Sequence, residues 1–227
     1  MQKRMFNDRF CLTDLVLSGQ KTQTRDVIKI QDERINHLRG WNSDYEFAEF
    51  GRAGEAPLRV CSKYYVGEVV AVAQSYQKAG VVFVPIRESD FINKRSVKWG
   101  NARKLAGWKN KLFARAELMP HAIKITNIRV ERLQDISDED CLAEGIEYDS
   151  AEGLPLYWVS VSNEGISWEE WKVRSYELSR HEYEGKPGVY FWGTPQEAYA
   201  ALIDKIYGYG TWASNPYVWA YDFELVK

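Results

Sequence analysis

The chain has 227 residues, 45% of them hydrophobic and 27% charged, with a formal net charge of −2. Those values fit one globular domain and exclude wholesale disorder, and no apolar run approaches the roughly 18 residues of a membrane helix. Cys11, Cys61 and Cys141 are odd in number and form no CxxC pair, and His37, His121 and His181 are as scattered, which argues against a disulfide framework, a zinc site and a His-based triad.

In chain order, the first element predicted is a helix over Thr13–Ser18 or starting somewhat earlier, with Phe10, Leu12, Leu15, Val16 and Leu17 apolar and Gly19 placed to stop it. Residues 27–58 mix charge, glycine and aromatics without a clear period and read as loop, with room for a short helix around Glu33–Leu38. Tyr65–Ala73 reads as a buried strand, Val81–Ile86 as a second and Ile123–Val130 as a third. Ser137 before Asp138-Glu139-Asp140 starts a helix that Gly145 ends after about two turns, with Ile136 placed to staple onto Cys141. Residues 146–188 read as an elaborated insertion, in which Trp168–Arg180 could carry a helix. Thr194-Pro195-Gln196-Glu197 is a capping box with proline at the first helical position, and Gly208 closes that helix. Tyr217–Val226 alternates Tyr217, Trp219, Tyr221, Phe223 and Leu225 on one face and reads as a central or barrel-lining strand. Strands from distant segments with short helices between them predict an α+β fold rather than a doubly wound sheet.

The near-neutral total hides two opposed blocks. Lys78–Glu117 has ten bases against three acids, and Glu131–Glu152 nine acids against Arg132. Paired with each other, the blocks form a solvated surface. Projecting alone, the basic block with Trp99 and Trp108 inside it would suit a polyanion, and Lys94, Arg95, Lys98, Trp99, Arg103, Lys104 and Trp108 are its candidate nucleic-acid contacts. Trp192, Trp212 and Trp219 are read as core, and His121 as a packed or surface residue. Met1-Gln2-Lys3-Arg4 leads into no apolar region, so a cytoplasmic protein without signal peptide or membrane span is expected.

The densest cluster of reactive side chains is Gly19-Gln20-Lys21-Thr22-Gln23-Thr24-Arg25-Asp26. A threonine hydroxyl becomes a nucleophile when a base takes its proton, and a lysine beside another cation can be that base. The same cations also suit a helix C-terminus, and Thr22 and Thr24 are ordinary turn residues. Glu144 stands at the unfavourable end of its own helix dipole, which a partner such as Lys21, or solvation, would explain.

The Gly19-x-Lys21 motif and Arg25 resemble the signature of the ASCH domain family. Tyr65-Val66-Gly67-Glu68-Val69, the run from Ile128 through Ile146, and Trp212 to Trp219 resemble its longer, often phage-encoded members. The resemblance implies a single PUA-like β-barrel domain over residues 1–227, with short peripheral helices and large insertions at about 27–58, 75–108 and 147–188. It implies binding of RNA or a modified nucleoside beside Gly19, Thr22 and Arg25. Thr24 stands where the family usually has an acid, which makes the chain similar to a branch that hydrolyses N4-acetylcytidine. That similarity implies Lys21, Thr24 and Glu144 as base, nucleophile and orienter or acid, with no metal or cofactor. A non-catalytic scaffold of phage origin is the further alternative.

Overall fold

The last strand, Tyr217–Val226, organises the fold, because five of its ten residues, Val218 to Tyr221 and Phe223, are buried. In a computed structural model of the chain, residues 1–30, 37–43, 46–52, 54–81, 106–151, 154–159 and 192–226 are described. Their strands are β1 (Lys3–Arg4), β2 (Gln23–Val27), β3 (Leu38–Asn42), β4 (Phe47–Phe50), β5 (Leu58–Cys61), β6 (Val69–Val72), β7 (Ala122–Arg132), β8 (Glu147–Ala151), β9 (Leu154–Trp158) and β10 (Tyr217–Val226). The helices are α1 (Leu12–Leu17), α2 (Asp138–Ala143), α3 (Pro195–Tyr207) and α4 (Thr211–Ser214). The fold is mixed α+β, and among the described residues no sheet closes into a barrel. No described helix is long and apolar enough to cross a membrane.

The chain divides into two compact units. One comprises Met1–Phe6, Val69–Ile123 and the last two residues. In it β1 runs parallel to β6, Lys3 opposite Ala71 and Arg4 opposite Val72, and Val72 N donates to His121 O at the head of β7. Lys3 Nζ fastens the following turn by donating to the carbonyls of Leu112 and Ala114, each at 2.6 Å. Tyr76 packs so closely that a Cβ at Gly107 would lie 2.4 Å from its ring, so only glycine fits there. The predicted strand Val81–Ile86 and the residues 94–104 of the basic block lie outside the described residues.

The larger unit comprises Asn7–Glu68 and Lys124–Leu225, with strand order β7-β10-β2. Antiparallel register sets Tyr221 opposite Thr24 and Asp222 opposite Gln23. Because successive side chains alternate across a strand, the two faces of this sheet differ in kind. Tyr217, Trp219 and Tyr221 share one face and meet Phe50, Trp41 and Tyr64 at ring separations of 5.1–5.3 Å. These aromatics are core, and they cover a second sheet of order β3-β4-β5. The expectation of loop over residues 27–58 is therefore wrong for 38–42 and 47–50. Polar residues alternating with aromatics on a half-exposed sheet hid the strand period there. Of the suggested helix at 33–38, Leu38 lies in β3, His37 precedes that strand outside any helix, and residues 33–36 lie outside the described residues.

The other elements follow their local signals. Helix α1 spans Leu12–Leu17, within the expected range, and Gly19 follows it with φ +79°. The buried strand lies at Val69–Val72, shorter than Tyr65–Ala73, because Gly67 adopts φ +87° in a turn. Ser137 Oγ accepts from Asp140 N to cap α2, and Thr194 Oγ1 accepts from Glu197 N to cap α3. Within 146–188, β8 and β9 form a hairpin, and Trp168–Arg180 lies outside the described residues. Tyr207 closes the outer edge of β2, donating to Arg25 O at 2.9 Å and reaching Asp26 Oδ1 at 3.3 Å.

Candidate functional site

The second face of the β7-β10-β2 sheet carries charge. Gln23 and Arg25 of β2, Arg129 and Glu131 of β7, and Asp222 of β10 lie on it at every second position, and α2 adds Asp140 and Glu144. Arg25, 3% exposed, donates from Nε to Glu131 Oε1 at 2.9 Å, from Nη2 to Asp140 Oδ2 at 2.8 Å, and from Nη1 to Glu144 Oε1 at 3.1 Å. Arg129 takes both oxygens of Asp222 from Nη1, at 2.9 and 2.7 Å, and reaches Asp140 Oδ2 and Glu131 Oε2 at 2.6 and 3.0 Å. Gln23 Nε2 donates to Asp140 Oδ1 at 2.6 Å. Three strands and one helix are thus fastened by shared carboxylates.

Lys21 enters this layer from the turn after α1, where its N–H donates to Leu15 O. Its side chain is buried, and Nζ donates to Glu144 Oε2 at 2.5 Å and to the Glu144 main-chain carbonyl at 2.6 Å. Glu144 is the C-cap of α2, so one ammonium meets both a buried carboxylate and the negative end of a helix dipole. Burial works to raise the Glu144 carboxyl, but Lys21 and Arg25 outweigh it and hold it below the ordinary carboxylate range. Burial likewise opposes the ionised form of Asp140, yet Gln23, Arg129 and Arg25 hold its pKa below normal. Arg25 is raised despite burial, through Glu144 and Glu131. Tyr199 Oη reaches Glu144 Oε1 at 3.4 Å, and burial together with that carboxylate pushes the phenol well above its usual value. Burial drives the Cys141 thiol up to about 12, so that cysteine is an unreactive core residue.

The sequence candidates are placed unequally. Lys21, Arg25 and Glu144 converge. Thr24 is buried on β2, but alternation turns its side chain to the aromatic face shared with Tyr221, away from the face of Arg25 and Gln23. Gly19 shapes the turn. Thr22 is exposed, and its backbone bridges two elements, N–H donating to Ala143 O and O accepting from Phe223 N, both at 2.9 Å. Of the nucleic-acid candidates Trp108 alone is described, half-buried in a turn of the smaller unit whose carbonyl accepts from Gln77 N. Lys94, Arg95, Lys98, Trp99, Arg103 and Lys104 lie outside the described residues. Glu131, Asp140 and Glu144 of the acidic block pair with Lys21, Arg25 and Arg129, none of which belongs to the basic block. Among the described residues no cluster of three His, Cys, Asp or Glu side chains suits a metal.

Beside the Lys21–Glu144 pair opens a cleft of about 250 Å³. Leu15, Leu142 and Ile146 give it apolar walls, Gln20, Glu147 and Tyr148 give it polar groups, and Gly145 completes the lining. Gln20 precedes Lys21 and Gly145 follows Glu144, so the ion pair fixes the backbone on both sides of the opening. Sequence reasoning missed Gln23, Arg129, Glu131, Asp140, Tyr199 and Asp222, although a polar residue at every second position of Asn127-Ile128-Arg129-Val130-Glu131 was a readable signal. It also missed Glu147 and Tyr148, which carry no motif.

No protein-family model, no curated protein and no solved structure matches the chain.

Proposed function

We propose that the chain is an ASCH-like domain that binds RNA or a modified nucleoside in the cleft beside the Gly19–Arg25 loop. The observation that carries this reading is the position of the cleft, whose lining residues Gln20 and Gly145 directly flank the buried Lys21–Glu144 pair. A preformed opening with apolar walls, one exposed aromatic ring and an amide is the chemistry that accepts a splayed base. The PUA-like barrel belongs to the same proposal, supported by the resemblance and by the central place of β10 in its sheet. Backbone contacts fall to Lys94, Arg95, Lys98, Arg103 and Lys104, with Trp99 and Trp108 as stacking partners. Titration with single-stranded RNA tests it. Binding that weakens steeply with salt and is lost on charge reversal at Lys94, Arg95 and Lys98 is expected. Absence of RNA and nucleoside binding at low salt would leave the scaffold reading.

A second reading, hydrolysis of an N4-acylated cytidine, draws on the 2.5 Å convergence of Lys21 and Glu144. It requires Thr24 to turn from the aromatic face toward Lys21 and the Lys21 ammonium first to lose a proton to solvent; Thr24 Oγ1 then attacks the acyl carbon as its proton passes to the freed amine. The exocyclic amine leaves with a proton, and water then releases the acyl group from the threonine ester. Glu144, held ionised by two cations, is an orienting anion rather than a proton donor in this scheme. Incubation with N4-acetylcytidine decides the point. Turnover that Thr24→Ser retains and Thr24→Val abolishes supports hydrolysis, and no turnover by the unmodified protein removes it.

A further inference from the structure

In the smaller unit, residues 107–115 are pinned to the chain around Tyr76 at both ends. Tyr76 N donates to Gly107 O at 2.9 Å, Gln77 N to Trp108 O at 3.1 Å, and Arg115 N to the hydroxyl of the buried Tyr76 at 3.1 Å. Between these pins lies a short 3-10 turn, Lys111–Phe113, capped by Asn110 Oδ1, which accepts from Leu112 N at 3.0 Å. Two lysines fasten the turn to the N-terminal segment: Lys3 Nζ donates to Leu112 O and Ala114 O, and Lys111 Nζ donates to Phe6 O.

What this bracing presents is apolar. Leu112 is 53% exposed and Phe113 57%, and Met5, between the fastened Lys3 and Phe6, is 46% exposed. A backbone held by so many main-chain contacts does not fold these side chains inward, so their surface stays in water until something outside covers it. Cations stand on either side. Lys109 and Arg115 are exposed, and neither side chain enters an ion pair. Over residues 107–118 the sequence sets Lys109, Lys111 and Arg115 against one acid, Glu117.

An apolar tip between unpaired cations complements an anionic surface with an apolar interior. A protein partner of ordinary affinity requires roughly 800 Å² of matched surface on each side, far more than three side chains offer. Nucleic acid is held by flat rings and hydrogen-bonding groups, and Leu112 and Met5 supply neither. A bilayer needs no matching shape. It takes apolar side chains at the headgroup–acyl boundary while lysine and arginine heads stay among the phosphates.

Independently of the cleft and of what it binds, we propose that the Lys109–Arg115 turn docks the protein on membranes bearing anionic phospholipids. Leu112 and Phe113 enter the boundary, and Lys109 and Arg115 pair with lipid phosphates. The protein lies on the membrane through this turn; the docking uses no spanning helix.

Co-sedimentation of the full chain with vesicles of phosphatidylcholine, alone or mixed with phosphatidylglycerol, tests this. Binding to the mixed vesicles is expected, at least about tenfold stronger than to neutral ones and weakened by salt. Leu112→Gln and Phe113→Gln each reduce it about tenfold without lowering Tm, since both side chains already stand in water in the free protein. Lys109→Gln combined with Arg115→Gln reduces it by a similar factor and removes most of the salt dependence. Tyr209→Ser, which removes a 96% exposed ring from the other unit, leaves binding unchanged and so separates docking from general adsorption. No sedimentation with mixed vesicles overturns the inference, as do equal binding to neutral and anionic vesicles and normal binding by the Leu112 and Phe113 variants. If vesicles are ignored while Phe113→Gln weakens binding to single-stranded RNA, the turn serves nucleic acid and the inference falls. None of these residues lines the cleft, so each of these failures leaves the readings of that site where they stand.

Discussion

Lys21 meets Glu144 twice, once at the carboxylate and once at the main-chain carbonyl that ends α2. The second contact means that the lysine closes a helix as well as neutralising an anion. Removing either side chain leaves a buried charge facing a reduced set of partners, and such losses cost about 3–5 kcal/mol. Lys21→Met and Glu144→Gln are each expected to destabilise by that amount in chemical denaturation. The double variant should lose clearly less than the two combined, by at least about 1 kcal/mol, the mark of directly interacting residues. Additive losses would show that the pair is not coupled.

Acid should weaken the fold through the same layer. Glu144 and Asp140 both have folded pKa values below their unfolded ones. Their contribution is therefore complete above the unfolded carboxylate range, near about 4, and is lost as pH falls through the lower folded values. Urea midpoints measured from about pH 7 downward should stay level and then drop steeply below about pH 4. Glu144→Gln, already lowered at neutral pH, should show a shallower drop. An equal slope for both proteins would place the acid sensitivity elsewhere.

Gly145 and Gly19 both have positive φ, +102° and +79°, but their surroundings differ. A Cβ at Gly19 meets nothing within 4 Å, whereas at Gly145 it would lie 3.0 Å from Leu15 Cδ1 and 3.7 Å from Lys21 Cδ. Gly19→Ala should cost only the left-handed backbone penalty, about 1–2 kcal/mol. Gly145→Ala should cost more and also narrow the cleft, seen as a larger fall in Tm and a loss of nucleoside binding. A smaller fall for Gly145→Ala than for Gly19→Ala contradicts this.

Ser137 holds the first turn of α2 through Asp140 N. Ser137→Ala should cost about 1 kcal/mol, the usual value of an N-cap. Because α2 carries both Asp140 and Glu144, amide exchange in that helix and around Lys21 should rise together. Thr194→Ala, which uncaps α3, should cost a similar amount and leave the exchange of α2 unchanged.

What could be read in advance was local. The caps at Ser137 and Thr194 depend on four consecutive residues, and the aromatic alternation of β10 lies within one strand. The suspicion that Glu144 needed a cation followed from its place on a helix dipole, and Lys21 supplies one 123 residues away in sequence. The rest of the charged layer was not legible, because Gln23, Arg129 and Asp222 acquire meaning only when the register of β2, β7 and β10 is known. Thr24 shows the same limit from the other side. Three residues from Lys21 in sequence, it is turned by strand alternation to the opposite face of the sheet. The β3-β4-β5 sheet escaped because its exposed positions interrupt the apolar period.

The hydroxyl of Tyr207 gives β2 a protection that a sheet margin ordinarily lacks. Odd-numbered residues of β2 turn their main-chain groups away from β10, so Arg25 O would otherwise stand open to a strand from another molecule. With the phenol seated on that oxygen at 2.9 Å, an incoming chain must first displace α3. The α3 C-terminus thus occupies at Arg25 the edge carbonyl through which a further strand would otherwise be added beside the Gly19–Arg25 loop.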